Sequence, residues 1–381
     1  MTIGIIGCGT MGAGIAQVAA SFSNTVIVID TNTEALQKAK TSLSHTLEKL
    51  VAKEKISHQK ANEISGNISW TSDYNALSNA ALVIEAIIEN IDIKKQVFEN
   101  LEKIVSPQCI LASNTSSLSI TSIAAACAHS ERVVGVHFFN PAPIMQLVEI
   151  IPALQTDKHI LLKTKEIIDT WQKKTVVAKD TPGFIVNRIA RPFYSEAIRI
   201  YEENIANIET IDYALKTYGG FKMGAFELMD LIGHDVNYTV TETVWKAFYF
   251  DQKYTPSFSQ KRLVEAKWFG KKSGRGFYHY TQQNDLNINK DETLCKHIVE
   301  RILAMLFHEA YNALYLKIAT EQDIETAMTK GVNYPKGLIA WAKEIELKNV
   351  VHTLDTLYQT YQEDRYRCSP LLRKENLKPQ N

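Results

Sequence analysis

Short runs of apolar and β-branched residues alternate with helix-periodic segments through the first half of the chain. These runs cover residues 3–6, 25–29, 81–84, 109–112, 133–138 and 147–151. Such alternation predicts an α/β domain with a doubly wound parallel sheet and crossover helices. Between the second and third runs, residues 33–64 are charged and helix-periodic. That segment predicts a helical hairpin inserted into the sheet domain.

The strand pattern fades after Asp180-Thr181-Pro182-Gly183, and the rest of the chain is mainly amphipathic helix. A change of this kind beside proline and glycine favours a domain boundary, which we place at Pro182. The polar stretch 281–292 predicts an exposed linker. We therefore expect a sheet domain at 1–182 and all-α domains at 183–282 and 293–381.

The two helical segments resemble each other. An ungapped shift of 113 residues superposes nine identical pairs, among them Arg188 on Arg301, Glu196 on Glu309 and Gly224 on Gly337. Chance similarity is the alternative, because alanine and isoleucine recur at helical spacing in unrelated proteins. A duplication predicts that the two copies, the second of them partial, bury a shared face against each other.

Composition narrows the class of ligand. The 381 residues contain 42 Lys and Arg against 42 Asp and Glu, so no global charge favours nucleic acid or an anionic membrane. No stretch reaches the ~20 apolar residues of a membrane span, and residues 1–20 lack the cationic start of a secretory signal. The five cysteines are scattered and show no metal-ligand spacing, which predicts no metal and a cytoplasmic protein.

A glycine-rich turn follows the first apolar run directly and opens a helical segment. In G-C-G-T-M-G, Gly7 permits the turn, Gly9 lets backbone N–H groups approach a pyrophosphate, and Gly12 allows close packing of the helix. Asp30 ends the next run, where a carboxylate binds both ribose hydroxyls and repels the 2′-phosphate of NADP. The pattern predicts a Rossmann-type site for NAD formed by Gly7, Gly9, Thr10, Met11, Gly12 and Asp30.

A histidine and a glutamate suit the chemistry of alcohol oxidation. His137 closes the run 133–138, and Glu149 lies 12 residues later on the next run, beyond a turn through Pro141 and Pro143. Histidine titrates near neutral pH, so it can take a hydroxyl proton while hydride leaves the same carbon. A carboxylate on the other ring nitrogen fixes the tautomer. On this evidence alone, a structural histidine and a solvated glutamate stay open as alternatives.

Five motifs in order resemble the 3-hydroxyacyl-CoA dehydrogenase family over essentially the whole chain. They are the glycine turn, I-E-A-I-I-E-N from Ile84, S-N-T-S-S-L from Ser113, H-F-F-N-P from His137, and D-T-P-G-F-I-V-N-R from Asp180. The resemblance implies NAD-dependent interconversion of a 3-hydroxyacyl-CoA and its 3-ketoacyl-CoA.

The resemblance also assigns residues. It implies His137 as the catalytic base, Glu149 as its partner, and Ser116 and Asn187 as catalytic and substrate-binding residues. It adds cofactor contacts at Glu89, Lys94 and Asn114, and coenzyme A contacts on the hairpin at Lys53 and at Thr46, which stands where the family has a serine.

The second helical copy has Glu300 where the first has Asn187, so we expect it to be non-catalytic. Single-copy relatives pair their helical domains as dimers, and a tandem copy satisfies that interface inside one chain, which favours a monomer. Two other functions stay open: another β-hydroxyacid dehydrogenase, which employs a lysine-centred site, and a non-catalytic NAD-binding structural protein of this fold. The acyl group is open between hydroxybutyryl, longer chains and a carboxylated chain such as hydroxyadipyl.

Overall fold

The computed structural model describes residues 1–282 and 287–378, so positions 283–286 of the predicted linker lie outside the described residues. The chain divides into two compact units, 1–184 and 185–381. Among the described residues, no helix combines the length and apolar content needed to cross a bilayer.

The first unit is built on one sheet. Its strands, in the order β3-β2-β1-β4-β5-β6-β7-β8 across the sheet, are β1 Thr2–Ile6, β2 Thr25–Ile29, β3 Ile68–Thr71, β4 Leu82–Glu85, β5 Ile110–Ser113, β6 Val133–Phe138, β7 Leu147–Pro152 and β8 Lys174–Val177. The predicted α/β fold is confirmed. The sequence pattern missed β3 and β8.

Two strands depart from the predicted parallel arrangement, because β7 runs antiparallel to β6 and β8 runs parallel to β7. All other neighbouring pairs in the described sheet are parallel. Parallel neighbours need a crossover of a dozen or more residues, whereas the connection between β6 and β7 is only residues 139–146. The chain therefore turns back on itself directly after His137.

Six α-helices accompany the sheet in the described residues: α1 Thr10–Ser21, α2 Thr33–Ala52, α3 His58–Gly66, α4 Ile91–Ile104, α5 Ile120–Ala124 and α6 Lys158–Thr170. The segment predicted as a helical hairpin forms α2 and α3. In α2, Leu36, Ala39, Leu43 and Leu47 are buried. Their spacing of three or four residues places them on one face of the helix, which is the face that packs.

The described part of the second unit is helical. Its helices are α7 Val186–Ile189, α8 Arg191–Glu202, α9 Ile208–Thr217, α10 Ala225–Ile232, α11 His234–Ala247, α12 Phe258–Glu265, α13 Glu292–Tyr315, α14 Glu321–Gly331, α15 Leu338–Glu344, α16 Leu347–Tyr361 and α17 Pro370–Asn376. Helices α8 and α13, which the shift of 113 residues relates, pack directly against each other.

Reciprocal ion pairs join these two helical segments. Arg188 Nε lies 2.7 Å from Glu309 Oε1, and Arg301 Nε lies 2.6 Å from Glu196 Oε1. Because the same shift relates both arginines and both glutamates, the two contacts are the same contact made in opposite directions. That reciprocity is the property of a two-fold interface.

A second repeated contact caps a helix in each segment. Asp212 accepts hydrogen bonds from the backbone N–H groups of Phe226 and Glu227 at the start of α10. Glu325, at the related position, accepts them from Ile339 and Ala340 at the start of α15. Carboxyl oxygens satisfy the unpaired N–H groups of a first helical turn, so the two segments contain the same helix cap.

Candidate active site

The glycine turn has the conformation that a pyrophosphate site requires. Gly7 has φ +97°, and a Cβ on Gly12 would lie 1.9 Å from the carbonyl oxygen of Gly7. A Cβ on Gly9 would meet no atom within 4 Å. Helix α1 begins at Thr10 with no side-chain cap and no acidic residue in its first turn. Its first N–H groups therefore have no side-chain acceptor and favour an anion, so the turn fits NAD.

Asp30 is attached to this turn. Its carboxylate accepts hydrogen bonds from the backbone N–H groups of Cys8 and Asn32, each 3.0 Å long. Partial burial alone would raise the pKa of Asp30, but the hydrogen bonds from Asn32 and Cys8 outweigh burial and lower it. Asp30 is therefore an anion at neutral pH, at the end of β2, where it can accept from ribose hydroxyls.

Asp30→Arg is expected to weaken NADH binding about tenfold or more and to narrow the preference for NADH over NADPH. The change removes a hydrogen-bond acceptor for ribose and replaces a repelling charge with an attracting one. Fluorescence titration with NADH and NADPH measures both affinities. Asp30→Asn is the matched control, because it keeps a side-chain oxygen for the N–H of Cys8. Unchanged NADH affinity in Asp30→Arg contradicts the assignment.

His137 and Glu149 are directly opposite each other on β6 and β7. His137 Nδ1 lies 2.7 Å from Glu149 Oε2, and the two side chains are 7% and 0% exposed. An ionised carboxylate has no proton to give, so Nδ1 donates and carries the ring hydrogen. That tautomer leaves the lone pair on Nε2, the nitrogen that can accept a proton from a substrate.

Aromatic rings flank this imidazole. The ring of Phe139 is centred 4.5 Å from that of His137, and the ring of Phe184 is centred 5.9 Å away. Asn114, the residue after β5, accepts a 2.8 Å hydrogen bond from the backbone N–H of Phe138 through its side-chain oxygen. The predicted cofactor residue Asn114 thus ties the end of β5 to the strand end that carries His137.

The predicted cofactor residues Glu89 and Lys94 form one network with the Ser116 loop. Glu89 Oε1 accepts hydrogen bonds from the Thr115 hydroxyl at 2.5 Å and from the Ser116 N–H at 3.0 Å. Lys94 Nζ lies 3.4 Å from Glu89 and 2.5 Å from Glu85. Burial would raise the pKa of Glu89, but Lys94 and these donors lower it. The network holds the half-buried Ser116 against Glu89.

The other predicted substrate residues lie apart from these strand ends in the chain. Thr46 lines an open depression on α2 with Lys38 and Lys49, and its hydroxyl donates to the carbonyl of Ser42. Lys53 is the exposed residue that follows the end of α2. Asn187 lies on α7 in the second unit and is half-buried.

Two residues near the site were not predicted from the sequence. Lys173 Nζ donates to the carbonyls of Ala142 and Met145 at 2.6 and 2.7 Å, and burial lowers its pKa to about 8. It therefore fastens the 139–146 connection that follows His137. Glu85 is fully buried and accepts from Lys94 and the Ser113 hydroxyl. An acid closing the apolar run 81–84 was the available signal for Glu85, whereas Lys173 offered none.

Comparisons with known proteins bear on this arrangement. Residues 2–181 match the 3-hydroxyacyl-CoA dehydrogenase NAD-binding domain, and residues 183–280 and 297–379 match the C-terminal domain of the same enzymes. The chain is 36% identical to 3-hydroxyadipyl-CoA dehydrogenase of Escherichia coli, over 99% of this chain and 97% of the relative. It is 40% identical to the mitochondrial hydroxyacyl-coenzyme A dehydrogenase of Homo sapiens, over 72% of this chain and 90% of the relative.

A solved structure is similar along the whole length. The crystal structure of 3-hydroxybutyryl-CoA dehydrogenase from Escherichia coli K12 superposes with a TM-score of 0.94 at 34% identity, covering 99% of this chain and 98% of that one. Among the residues described for the present chain, no group of three or more His, Cys, Asp and Glu side chains is placed to hold a metal ion.

Proposed function

The chain belongs to the 3-hydroxyacyl-CoA dehydrogenase family, and from that premise we propose that His137 and Glu149 are the proton-transfer pair of its reaction. The enzyme catalyses the reversible, NAD-dependent oxidation of a 3-hydroxyacyl-CoA to the 3-ketoacyl-CoA. The observation that carries the assignment is the buried 2.7 Å contact between Nδ1 of His137 and Glu149.

In oxidation, His137 Nε2 accepts the proton of the 3-hydroxyl group. The imidazolium that forms is stabilised by Glu149, which is fully buried and already in hydrogen-bond contact with Nδ1. In reduction, the protonated His137 returns that proton to the 3-oxygen. NAD, when bound, supplies the hydride acceptor for carbon 3. The proton leaves the 3-oxygen and the hydride leaves carbon 3. His137 exchanges only the proton with the substrate, so it forms no covalent intermediate.

The remaining site residues are proposed from their positions in the motifs that resemble the family. Ser116 and Asn187 hold the substrate oxygens, and such positioning contributes several kcal/mol to catalysis. Thr46 and Lys53, on the hairpin, contact coenzyme A. The proposed cofactor contacts are the backbone of the glycine turn and the side chains of Asp30, Glu89, Lys94 and Asn114.

NADH oxidation in the presence of acetoacetyl-CoA, followed by absorbance at 340 nm, tests this function. The full-length protein is expected to consume NADH only when the thioester is present. No consumption would favour the non-catalytic structural protein of this fold. Turnover that survives replacement of His137 but depends on a lysine would favour the lysine-centred β-hydroxyacid dehydrogenases.

We propose that the enzyme is a monomer. The reciprocal pairs Arg188–Glu309 and Arg301–Glu196 supply, inside one chain, the contacts by which two separate copies would pair. Multi-angle light scattering of the purified full-length chain is expected to give the 43.0 kDa mass of one chain. A dimer that persists on dilution contradicts this proposal.

We also propose that the enzyme works in the cytoplasm. Its five cysteines are all unpaired and buried. Burial raises the pKa of Cys109 and Cys127 to about 12, so these thiols stay protonated and unreactive. Unpaired thiols are typical of a reducing compartment.

A further inference from the structure

One buried ammonium group in the first unit has no acidic partner. Lys173 lies between α6 and β8 and is only 8% exposed. Its Nζ donates to the backbone carbonyls of Ala142 and Met145 at 2.6 and 2.7 Å. Among the described residues, no carboxylate forms an ion pair with it, and burial alone shifts its pKa. Buried charges are costly unless they are paired, so this lysine requires an explanation.

The other buried lysine of the described residues shows the ordinary arrangement. Lys94 Nζ lies 2.5 Å from Glu85 and 3.4 Å from Glu89, so carboxylates balance its charge. For Lys173, burial lowers the pKa to about 8, and no neighbouring charge opposes that shift. An ammonium group that only backbone carbonyls solvate makes the fold less stable than an exposed one would. Groups with such perturbed pKa values concentrate at functional sites.

The two carbonyls that Lys173 binds belong to one tight turn, residues 141–145, within the connection between β6 and β7. The backbone N–H of Met145 donates to the carbonyl of Pro141 at 3.0 Å, which closes the turn. Ala142 is the only buried residue of the 141–145 turn. Lys173 therefore fastens a mostly exposed turn at two points from the interior of the unit.

The 141–145 turn lies between the imidazole and the nucleotide helix. A Cβ on Gly14 of α1 would lie 3.3 Å from the Cβ of Ala142 and from the Cδ of Pro143, so the turn packs closely on this helix. Helix α1 begins directly after the glycine turn. In the chain, the 141–145 turn comes four residues after His137 and leads into β7. Its position therefore relates the strand end that carries the histidine to the helix at the proposed NAD site.

We propose that Lys173 is a positioning residue for the reaction: its ammonium holds the 141–145 turn, and through it His137, in alignment with the nucleotide at the glycine turn. This inference rests on the proposed function. Lys173 acts through the turn, because two of its three N–H donors are used on backbone carbonyls. Charged donors form hydrogen bonds about twice as strong as neutral ones. A misplacement of about 1 Å at a reacting centre can lower the rate about 10²-fold.

Lys173→Met tests the proposal, because methionine is unbranched and of similar length but has no donor. The single-turnover rate constant for NADH oxidation by acetoacetyl-CoA is measured by stopped-flow absorbance at 340 nm, with enzyme in excess over NADH. It is expected to fall at least tenfold. The dissociation constant for NADH should stay within threefold of wild type, because the glycine turn and Asp30 are unchanged. A rate constant measured in this way does not depend on the fraction of folded enzyme, so lower stability alone leaves it unaltered.

Two further variants show whether the buried charge is responsible. Lys174→Met is the matched control: this adjacent lysine is exposed, and its contact with the connection is a backbone N–H bond to Gln146, which the substitution keeps. Its rate constant should change less than twofold. Lys173→Arg keeps the charge and the donors, so it should retain a larger rate constant than Lys173→Met. If Lys173→Met does not fold, Lys173→Gln, which keeps a donor without the charge, takes its place in this comparison.

The outcomes separate this proposal from the one on which it rests. A fall of less than tenfold in Lys173→Met, an equal fall in Lys174→Met, or a rate constant of Lys173→Arg no higher than that of Lys173→Met assigns Lys173 a packing role and overturns the inference alone. A loss that appears only as weaker NADH binding also overturns it. Absence of NADH consumption by the wild-type enzyme contradicts the proposed function itself.

Discussion

His137→Gln is expected to lower kcat for acetoacetyl-CoA reduction by about 10²–10⁴-fold, the range that a positioned acid or base contributes. Glutamine fills similar space and can still form a hydrogen bond to Glu149, but it has no nitrogen that titrates. In the reductive direction the 3-oxygen then has no proton donor, because no imidazolium can form opposite the buried Glu149. Steady-state kinetics with saturating NADH measure the fall.

Binding of NADH to this variant is expected to stay within about twofold of wild type, because the glycine turn and Asp30 follow β1 and β2, whereas residue 137 lies on β6. His129→Gln is the matched control: this histidine is in the same unit, is 63% exposed and contacts Glu131. It should leave kcat unaltered. Activity of His137→Gln within tenfold of wild type, or an equal loss in both histidine variants, contradicts the role of His137.

Local patterns in the sequence predict the central residues of this site. The glycine turn, Asp30 and the pair at 137 and 149 each depend on a strand, a turn and residues close in the chain. The structure places His137 and Glu149 side by side, as their spacing predicted, and their catalytic roles stay predictions. The antiparallel direction of β7 follows from the short connection 139–146, so the expectation of a wholly parallel sheet was avoidable.

Other features depend on contacts between residues far apart in the chain. The two missed strands, β3 and β8, are four residues each and are too short for a periodic pattern to be distinguished. The bond between Glu89 and Ser116 joins residues 27 positions apart. Arg191 precedes a proline at a helix start, where an arginine is ordinarily exposed. Its burial and its hydrogen bond to the Thr241 hydroxyl, 50 positions away, are properties of tertiary packing.

Glu309, one of the two related glutamates of the helical segments, has buried surroundings whose contribution to the free energy of unfolding can be measured. Glu309 is fully buried and bonds to Arg188, Lys253 and the Tyr254 hydroxyl. Burial alone would raise its pKa, but Lys253 and Arg188 outweigh burial and lower the pKa to about 2. The carboxylate is therefore an anion in the folded state at any pH above that value.

Glu309→Gln is expected to destabilise the helical unit by about 3–5 kcal/mol at pH 7, because it leaves the buried Arg188 and the half-buried Lys253 without this anion. For a unit of this size the melting temperature should fall on the order of 10 °C, as scanning calorimetry would measure. Glu196→Gln, which removes the reciprocal pair with Arg301, is expected to act in the same direction.

The stability difference between wild type and Glu309→Gln is expected to depend on pH. The folded pKa of Glu309 is about 2 and its ordinary value is 4.5, so its contribution is complete above pH 4.5 and is lost as the pH falls towards 2. The gap in stability between wild type and Glu309→Gln should therefore narrow in acid. Glu344→Gln, which breaks an exposed pair with Lys336, is the control and should cost less than about 1 kcal/mol. A similar small cost for Glu309→Gln, or a gap that does not change between pH 7 and pH 3, would show that the paired segments do not depend on this charge.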